Sequence, residues 1–201
     1  MRVLNLEFGS IHTSSNFGSH TLFHLATLSE AELDGIRHEI IEALESEGGY
    51  NKASLSKMRK LDSTLRECSK TERLSPPGYN IAVPLKCLHF DPGVYPEPEK
   101  FDCFRFSKLR EMEESDVKYG FTTVEKNFAP FGLGRHACPG RFFASMELKI
   151  ILSHMLLNYD ISLPDGMKEA PKAMRLSTFV MPDVNACLVI TPRVEQLGQD
   201  L

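Results

Sequence analysis

Apolar residues recur at helical intervals through the first 70 positions; beyond them the spacing breaks up and returns only once. Leu4, Phe8 and Ile11, then Leu22, Leu25 and Ala26, predict a helix over residues 5–28, interrupted at Gly9 and Gly18. The polar run His12-Thr13-Ser14-Ser15-Asn16 falls in its middle, an odd place for it in a core helix. The spacing begins almost at Met1 with no capping residue ahead of it, so the chain reads as opening inside an element. Ser29-Glu30-Ala31-Glu32 is a capping box, in which hydroxyl and carboxylate each satisfy one orphan amide. Behind it Leu33, Ile36, Ile40 and Leu44 form a buried stripe that Gly48-Gly49 closes. Leu55, Met58, Leu61, Leu65 and Cys68 share one face of a third helix, which Pro76-Pro77-Gly78 ends.

The next stretch is irregular. Residues 81–88 alternate loosely and predict a strand, confined by Pro84 to a sheet edge. Three prolines and one glycine forbid regular structure over residues 91–100, and residues 101–106 are aromatic with Arg105 embedded among them. Residues 111–118 are charged and predict a solvated segment. After Pro139 the spacing returns: Phe143, Met146, Ile150 and Leu157 mark the apolar side of a late helix, with Glu147, Lys149 and Asn158 outward. Residues 176–181 and 186–191 read as two strands joined through Pro182-Asp183-Val184-Asn185, a hairpin candidate.

Composition removes several function classes. Apolar residues are 42% and charged residues 25%, enough to build a core, so wholesale disorder is excluded. Twenty-three basic against 27 acidic residues give a net charge of −4, which argues against a nucleic-acid-binding module. No apolar run is long enough for a membrane span, and Glu7 and Gly9 break the N-terminus too early for a secretory signal. The five cysteines, Cys68, Cys87, Cys103, Cys138 and Cys187, form no CxxC pair and read as reduced thiols, most of them packing groups.

The chemistry concentrates in Phe131-Gly132-Leu133-Gly134-Arg135-His136-Ala137-Cys138-Pro139-Gly140. Three glycines allow positive φ and the close approach of something flat and bulky. Cys138 stands at the doorstep of a helix, where amides and macrodipole favour a thiolate, with Arg135 and His136 close by. Pro139 suits a first helical turn. Three readings of the segment stand side by side. It can be a glycine-rich turn around a packing cysteine. It can be a dinucleotide fingerprint, since Gly132-x-Gly134-x-x-Ala137 fits that pattern formally, although Ala129-Pro130 stands where a strand is required. It can be a metal or haem thiolate with one protein ligand.

Phe131, Gly134, His136, Cys138 and Gly140 fit the haem-binding signature F-x-x-G-x-[RH]-x-C-x-G, and in this the chain resembles the cytochromes P450. The longer string FAPFGLGRHACPGRFFA resembles fungal microsomal members serving secondary metabolism. The resemblance implies a mainly α fold with a small β component: the C-terminal portion of a P450 domain over residues 1–201, from central helix to haem loop, following helix and terminal hairpin. It implies haem b as cofactor, Cys138 as the axial iron ligand, and Phe131, Gly134, His136 and Gly140 as the haem-binding loop. Gly9-Ser10-Ile11-His12-Thr13-Ser14 is similar to the family's oxygen-activating stretch, with Thr13 keeping the alcohol and His12 replacing the acid. The alternative there is a polar spot on a helix. Residues 101–106 look like the family's aromatic-Arg-Phe element, in which Arg105 pairs with the glutamate of an E-x-x-R helix; the alternative is an arginine snorkelling over aromatics.

The chain departs from the family in three places. The best E-x-x-R match is Glu67-Cys68-Ser69-Lys70, and lysine lacks the planar fork of arginine, which puts the Glu67–Arg105 network in question. Between Pro77 and Ile81 the family carries a longer segment that forms part of the substrate wall and contacts a haem propionate. The chain is also less than half a full member, without the membrane anchor and the distal helices. The resemblance implies an enzyme that inserts oxygen into an apolar small molecule such as a terpenoid, polyketide or indole derivative, using dioxygen and an NADPH-dependent P450 reductase. Family members sit on the endoplasmic reticulum. The rival expectation is an inactive remnant or incomplete gene product that holds no haem. Poor solubility is expected from uncovered apolar faces on the helices of residues 5–68.

Overall fold

The computed structural model describes residues 2–71, 85–114, 118–176 and 179–193. Its first helix, α1 (Arg2–Leu25), runs unbroken through both glycines expected to interrupt it. Gly18 faces the late helix: a Cβ at that position would stand 3.4 Å from Leu148 Cδ2. The polar run lies where solvent reaches it, with His12, Thr13 and Ser15 exposed. Helix α2 (Glu30–Glu47) starts at the expected capping box: Ser29 N–H donates to Glu32 Oε2 at 2.8 Å, and Glu32 N–H donates to Ser29 Oγ at 3.4 Å. It ends at Gly48, whose φ of 69° lies in the left-handed region that closes helices. Leu33, Ile36, Ile40 and Leu44 are all buried, as their spacing predicts.

The predicted third helix is two, α3 (Lys52–Lys57) and α4 (Arg59–Thr71), separated at Met58 with ψ of 70°. Asn51 caps α3 by accepting from the N–H groups of Ala53 and Ser54. The apolar stripe of α4 is buried as expected, but so is everything else from Leu61 to Lys70, including Asp62, Arg66, Glu67 and Lys70. Over residues 61–70 an amphipathic pattern therefore has no solvent face, and its polar side must be matched internally. Helices α1, α2 and α7 (Arg141–Asn158) pack on its apolar side around Leu25, Ile36, Ile40, Leu61, Leu65, Leu152 and Leu156. Helices α5 (Leu85–His89) and α6 (Arg105–Met112), with the turns between them, cover its polar side.

Three expectations are corrected. Leu85–His89 is helical rather than the end of an edge strand; residues 81–84, like the 76–78 stop and the junction before Ile81, lie outside the described residues. The β-rich tail does not form the expected hairpin. Strand β1 (Tyr159–Ser162) pairs antiparallel with β4 (Val189–Pro192), Tyr159 opposite Pro192. The short strands β2 (Met174–Leu176) and β3 (Phe179–Met181) pair with each other, Met174 opposite Met181. The late helix is turned the other way: Leu148, Lys149, Leu152, Ser153 and Leu156 face inward, while Phe143, Met146 and Ile150 are 60%, 38% and 41% exposed. Lys149 tolerates burial because Asp62 Oδ1 lies 2.6 Å and the Leu55 carbonyl 3.1 Å from its Nζ. α7 is apolar on two sides, and the inward side carries Leu148, Leu152 and Leu156 beside the paired Lys149. Among the residues whose exposure is described, which begin at Ile11, the uncovered apolar surface is concentrated on α7, with Ile11 and Tyr50 the exposed large apolar residues before Cys68.

Candidate functional site

The approach to the 131–140 loop is held by buried polar groups of α4. Arg66, 1% exposed, lies with its guanidinium 3.6 Å from the Phe128 ring centroid and 4.6 Å from that of Phe106. Its Nη1 donates to the Gly120 and Thr123 carbonyls at 2.6 and 3.3 Å, and its Nη2 to Glu125 at 3.1 Å. Tyr95 OH donates to the Asn127 carbonyl at 2.9 Å, and the Ala129 N–H donates to His89 Nε2 at 3.3 Å. Burial, with the nearby Lys70 and Arg66 charges, pulls His89 down to about 4, so at neutral pH it is an uncharged acceptor. The segment thus reaches Phe131 with its backbone tied at four successive places.

Asp62 fixes the same segment from beneath. It accepts the Phe121 N–H at 2.9 Å and pairs with Arg110 and Lys149, joining α4, α6 and α7. Burial pushes its carboxyl up, but the two cations outweigh that and hold it below the ordinary value. Phe121 stacks on Phe17 of α1 at 5.4 Å and meets Phe131 edge-on at 5.1 Å. Thr13 lies one helical turn before Phe17, so this ring chain ties its stretch of α1 to the loop.

The loop closes on itself around Cys138. The Cys138 N–H donates to the Phe131 carbonyl at 2.8 Å, and the Ala137 N–H to that of Gly134 at 3.2 Å, within the single 3-10 turn Gly134–His136. Gly132 and Gly134 take φ of 76° and 65°, which side-chain-bearing residues adopt at a cost. Arg141 anchors the far end, donating to the Cys138 carbonyl at 2.9 Å and to the Thr122 carbonyl at 3.2 Å. Phe131 is buried, Cys138 half-buried, and His136 and Gly140 exposed. A Cβ at Gly134 would meet no atom within 4 Å, and one at Gly140 would come within 4.0 Å of Cys138 Sγ. The five signature residues are therefore one folded unit with an open side at Gly134.

This geometry separates the three readings of the loop. The dinucleotide reading lacks its strand: turns precede Gly132, and both described sheets are two-stranded and antiparallel. Cys138 is only half-buried, unlike Cys68 and Cys103, and its buried part packs against the core cluster. The donor set offers a prosthetic group one thiol, the half-buried Cys138 with Gly140 close to its sulfur, and no cluster of three or more metal-ligating side chains occurs among the described residues.

The questioned network is complete. Arg105 Nε donates to both Glu67 carboxylate oxygens at 3.1 and 3.2 Å, and its terminal nitrogens donate to the carbonyls of Pro96, Glu97 and Lys100. The arginine is a buried staple, not a snorkelling one. Lys70 supplies a third vertex with longer contacts, 3.3 Å to Glu67 and 3.5 Å to the Pro98 carbonyl, beneath the Tyr95 ring at 4.9 Å. Burial pushes Glu67 up and Lys70 down. A separate groove of about 410 Å³ runs between α1 and the tail, walled by Leu22, Phe23, Leu188 and Ile190 with Asn16 and Asp183 at its polar spots. No helix among the described residues is long and apolar enough to cross a membrane.

Comparison with known proteins agrees with this architecture. Residues 71–189 match the sequence model of the cytochrome P450 family. The chain is 38% identical, over 92% of its length and 42% of the relative's, to cytochrome P450 monooxygenase ataF of Aspergillus terreus. It is 34% identical to monooxygenase phqO of Penicillium fellutanum, over 97% of the chain and 48% of that protein. It is also 34% identical to monooxygenase paxQ of Penicillium paxilli, over 92% and 40% respectively. The chain therefore spans less than half the length of these relatives.

Proposed function

Because this chain belongs to the cytochrome P450 family, we propose that it contributes the haem-binding half of a haem-thiolate monooxygenase acting on an apolar small molecule in fungal secondary metabolism. The observation that carries the reading is the loop around Cys138: one half-buried thiol whose residue is tied by its own amide to Phe131, in a segment where Gly132 and Gly134 take positive φ. Haem held by a cysteine thiolate supplies dioxygen activation, the sulfur pushing electron density that favours O–O cleavage.

The chain's own residues have distinct tasks in this reading. Cys138 would hold the haem iron through its thiolate sulfur. Phe131 walls the loop from within, and Gly134 leaves room for the edge of a flat ring. His136, exposed on the 3-10 turn, is a donor for a carboxylate of the bound group. On α1, Thr13 holds a proton on its hydroxyl, and His12 or water replenishes it. The groove beside Leu22, Phe23 and Ile190 is the candidate seat of an apolar substrate. Arg135 and Lys126, exposed near the loop, offer positive charge to an NADPH-dependent reductase.

Expression of the 201-residue chain with haem supplied, followed by reduction and carbon monoxide, tests the reading. Retained haem whose carbonyl spectrum is that of thiolate ligation, lost in Cys138→Ala, supports it. A chain that folds and keeps no haem refutes it for this polypeptide and favours the inactive remnant.

A further inference from the structure

His89, the last residue of α5, is fully buried. Its ring stacks on that of Phe128 at 5.4 Å, and the Arg66 guanidinium lies 3.6 Å from the same Phe128 ring. A phenylalanine would fill such a place with no polar atom to satisfy. The imidazole is matched on one side only. Nε2 accepts the Ala129 N–H at 3.3 Å, which puts the ring proton on Nδ1. Nδ1 has the Lys70 backbone as its polar neighbour and closes no hydrogen bond of ordinary geometry with it. A buried donor in that state weakens the native fold, so stability is not what the imidazole adds. What it adds is the acceptor at Nε2, kept uncharged at neutral pH by burial and by the Lys70 and Arg66 charges of α4.

That acceptor stands at the head of a continuous hydrogen-bonded path to the thiol. Ala129 gives its N–H to His89 and takes the Gly132 N–H on its carbonyl at 3.1 Å, closing the turn that carries Phe131. Phe131 in its turn takes the Cys138 N–H on its carbonyl at 2.8 Å. Pro130 has no N–H, so Ala129 offers the last backbone donor before Phe131. The other side chains that hold this segment act further back: Asp62 at Phe121, Arg66 at Gly120 and Thr123, Arg141 at Thr122, and Tyr95 at Asn127. We infer that His89 is a positioning residue for Cys138: through Ala129 and the turn at Phe131 it sets where the sulfur stands, and so how firmly the thiolate engages haem iron. The placement of Cys138 holds with or without haem; its consequence for the iron rests on the monooxygenase reading.

The test compares His89→Phe, which keeps the ring and deletes the acceptor, with His89→Gln, whose amide oxygen replaces it. In the haem-free chain the cysteines are alkylated with iodoacetamide and read by peptide mass spectrometry, with exposed Cys187 as the internal reference. Relative to Cys187, Cys138 is expected to react roughly fivefold or more faster in His89→Phe than in the wild type, and within about twofold of the wild type in His89→Gln. In the haem-loaded chain, reduced under carbon monoxide, His89→Phe is expected to move the carbonyl band from the thiolate-ligated form toward the neutral-ligand form, and His89→Gln to restore it. A folded His89→Phe with a lower thermal midpoint but wild-type Cys138 labelling and an unchanged carbonyl band makes His89 a packing residue and overturns the inference. Should His89→Phe not fold, amide hydrogen exchange of the wild type decides. Protection of the Ala129 and Cys138 N–H groups together supports the path between them; an Ala129 N–H that exchanges as freely as a solvated loop amide overturns it. An unsubstituted chain that keeps no haem overturns the monooxygenase reading, while the labelling of Cys138 still decides its placement, so the two failures are distinguishable.

Discussion

Asp62 is the most informative single position for the fold that carries the loop. Its carboxylate serves Arg110, Lys149 and the Phe121 amide at once and is fully enclosed. Asp62→Asn keeps the shape and removes the charge, leaving two buried cations without their counter-ion. Breaking a buried pair in this way costs about 3–5 kcal/mol, a large share of the roughly 5–15 kcal/mol that stabilises a typical domain. For a chain of this size the midpoint is expected to fall by about 6–20 °C. Urea unfolding followed by far-UV circular dichroism measures the loss, and adding Lys149→Met to Asp62→Asn should recover part of it through coupling between the two sites. The pH dependence follows from the depressed carboxyl, which burial pushes up and the Lys149 and Arg110 charges pull down further. The contribution is whole above the ordinary carboxylate range and is lost as pH falls through the depressed native value. The wild type should therefore lose more stability on acidification than Asp62→Asn does. A cost below about 1 kcal/mol with no recovery from Lys149→Met would refute the reasoning, because a solvated pair behaves that way.

Other positions give independent tests. Lys70→Arg supplies the planar fork that the Glu67 vertex lacks and should raise the midpoint by a few degrees, whereas Lys70→Met should lower it, both read by differential scanning fluorimetry. Ser29→Ala removes the α2 cap and should cost about 1 kcal/mol in urea denaturation. Burial, with the Glu32 and Asp102 charges, pushes the Cys103 thiol up to about 12, so iodoacetamide at pH 8 should modify exposed Cys187 and Cys87 well before Cys103. Gly134→Val forces a β-branched residue to φ of 65° and should lower haem retention more than it lowers helix content, measured by absorbance and circular dichroism on one sample.

The elements legible in the sequence were those whose signal is local. The Ser29–Glu32 box and Gly48 fix both ends of α2 without help from the rest of the chain, and the Cys138 loop is read directly from its glycines. Helix α7 was legible as a helix but not in its orientation, and α4 was legible in its buried stripe but not in the burial of its polar side. Hydrophobic spacing assigns charged residues to water, and here Arg66, Glu67, Lys70 and Lys149 are inside because their partners come from 28 to 94 positions away. The strand pairing failed for a related reason: β1 finds β4 across 30 residues, and a turn-like tetrapeptide cannot announce that. The supports of the site that sequence reading missed, Arg66 under Phe128 and the Phe17–Phe121–Phe131 ring chain, are long-range contacts of the same kind. The one local hint was an arginine next to the E-x-x-R glutamate on a helix flanked by aromatic segments.

The central claim is that Cys138 Sγ binds haem iron, and X-ray absorption at the iron edge of the haem-loaded chain tests it most directly. The account predicts one sulfur in the first coordination sphere, absent in Cys138→Ser. A first sphere of nitrogen and oxygen alone in the unsubstituted chain, or a sulfur that persists in Cys138→Ser, would contradict it.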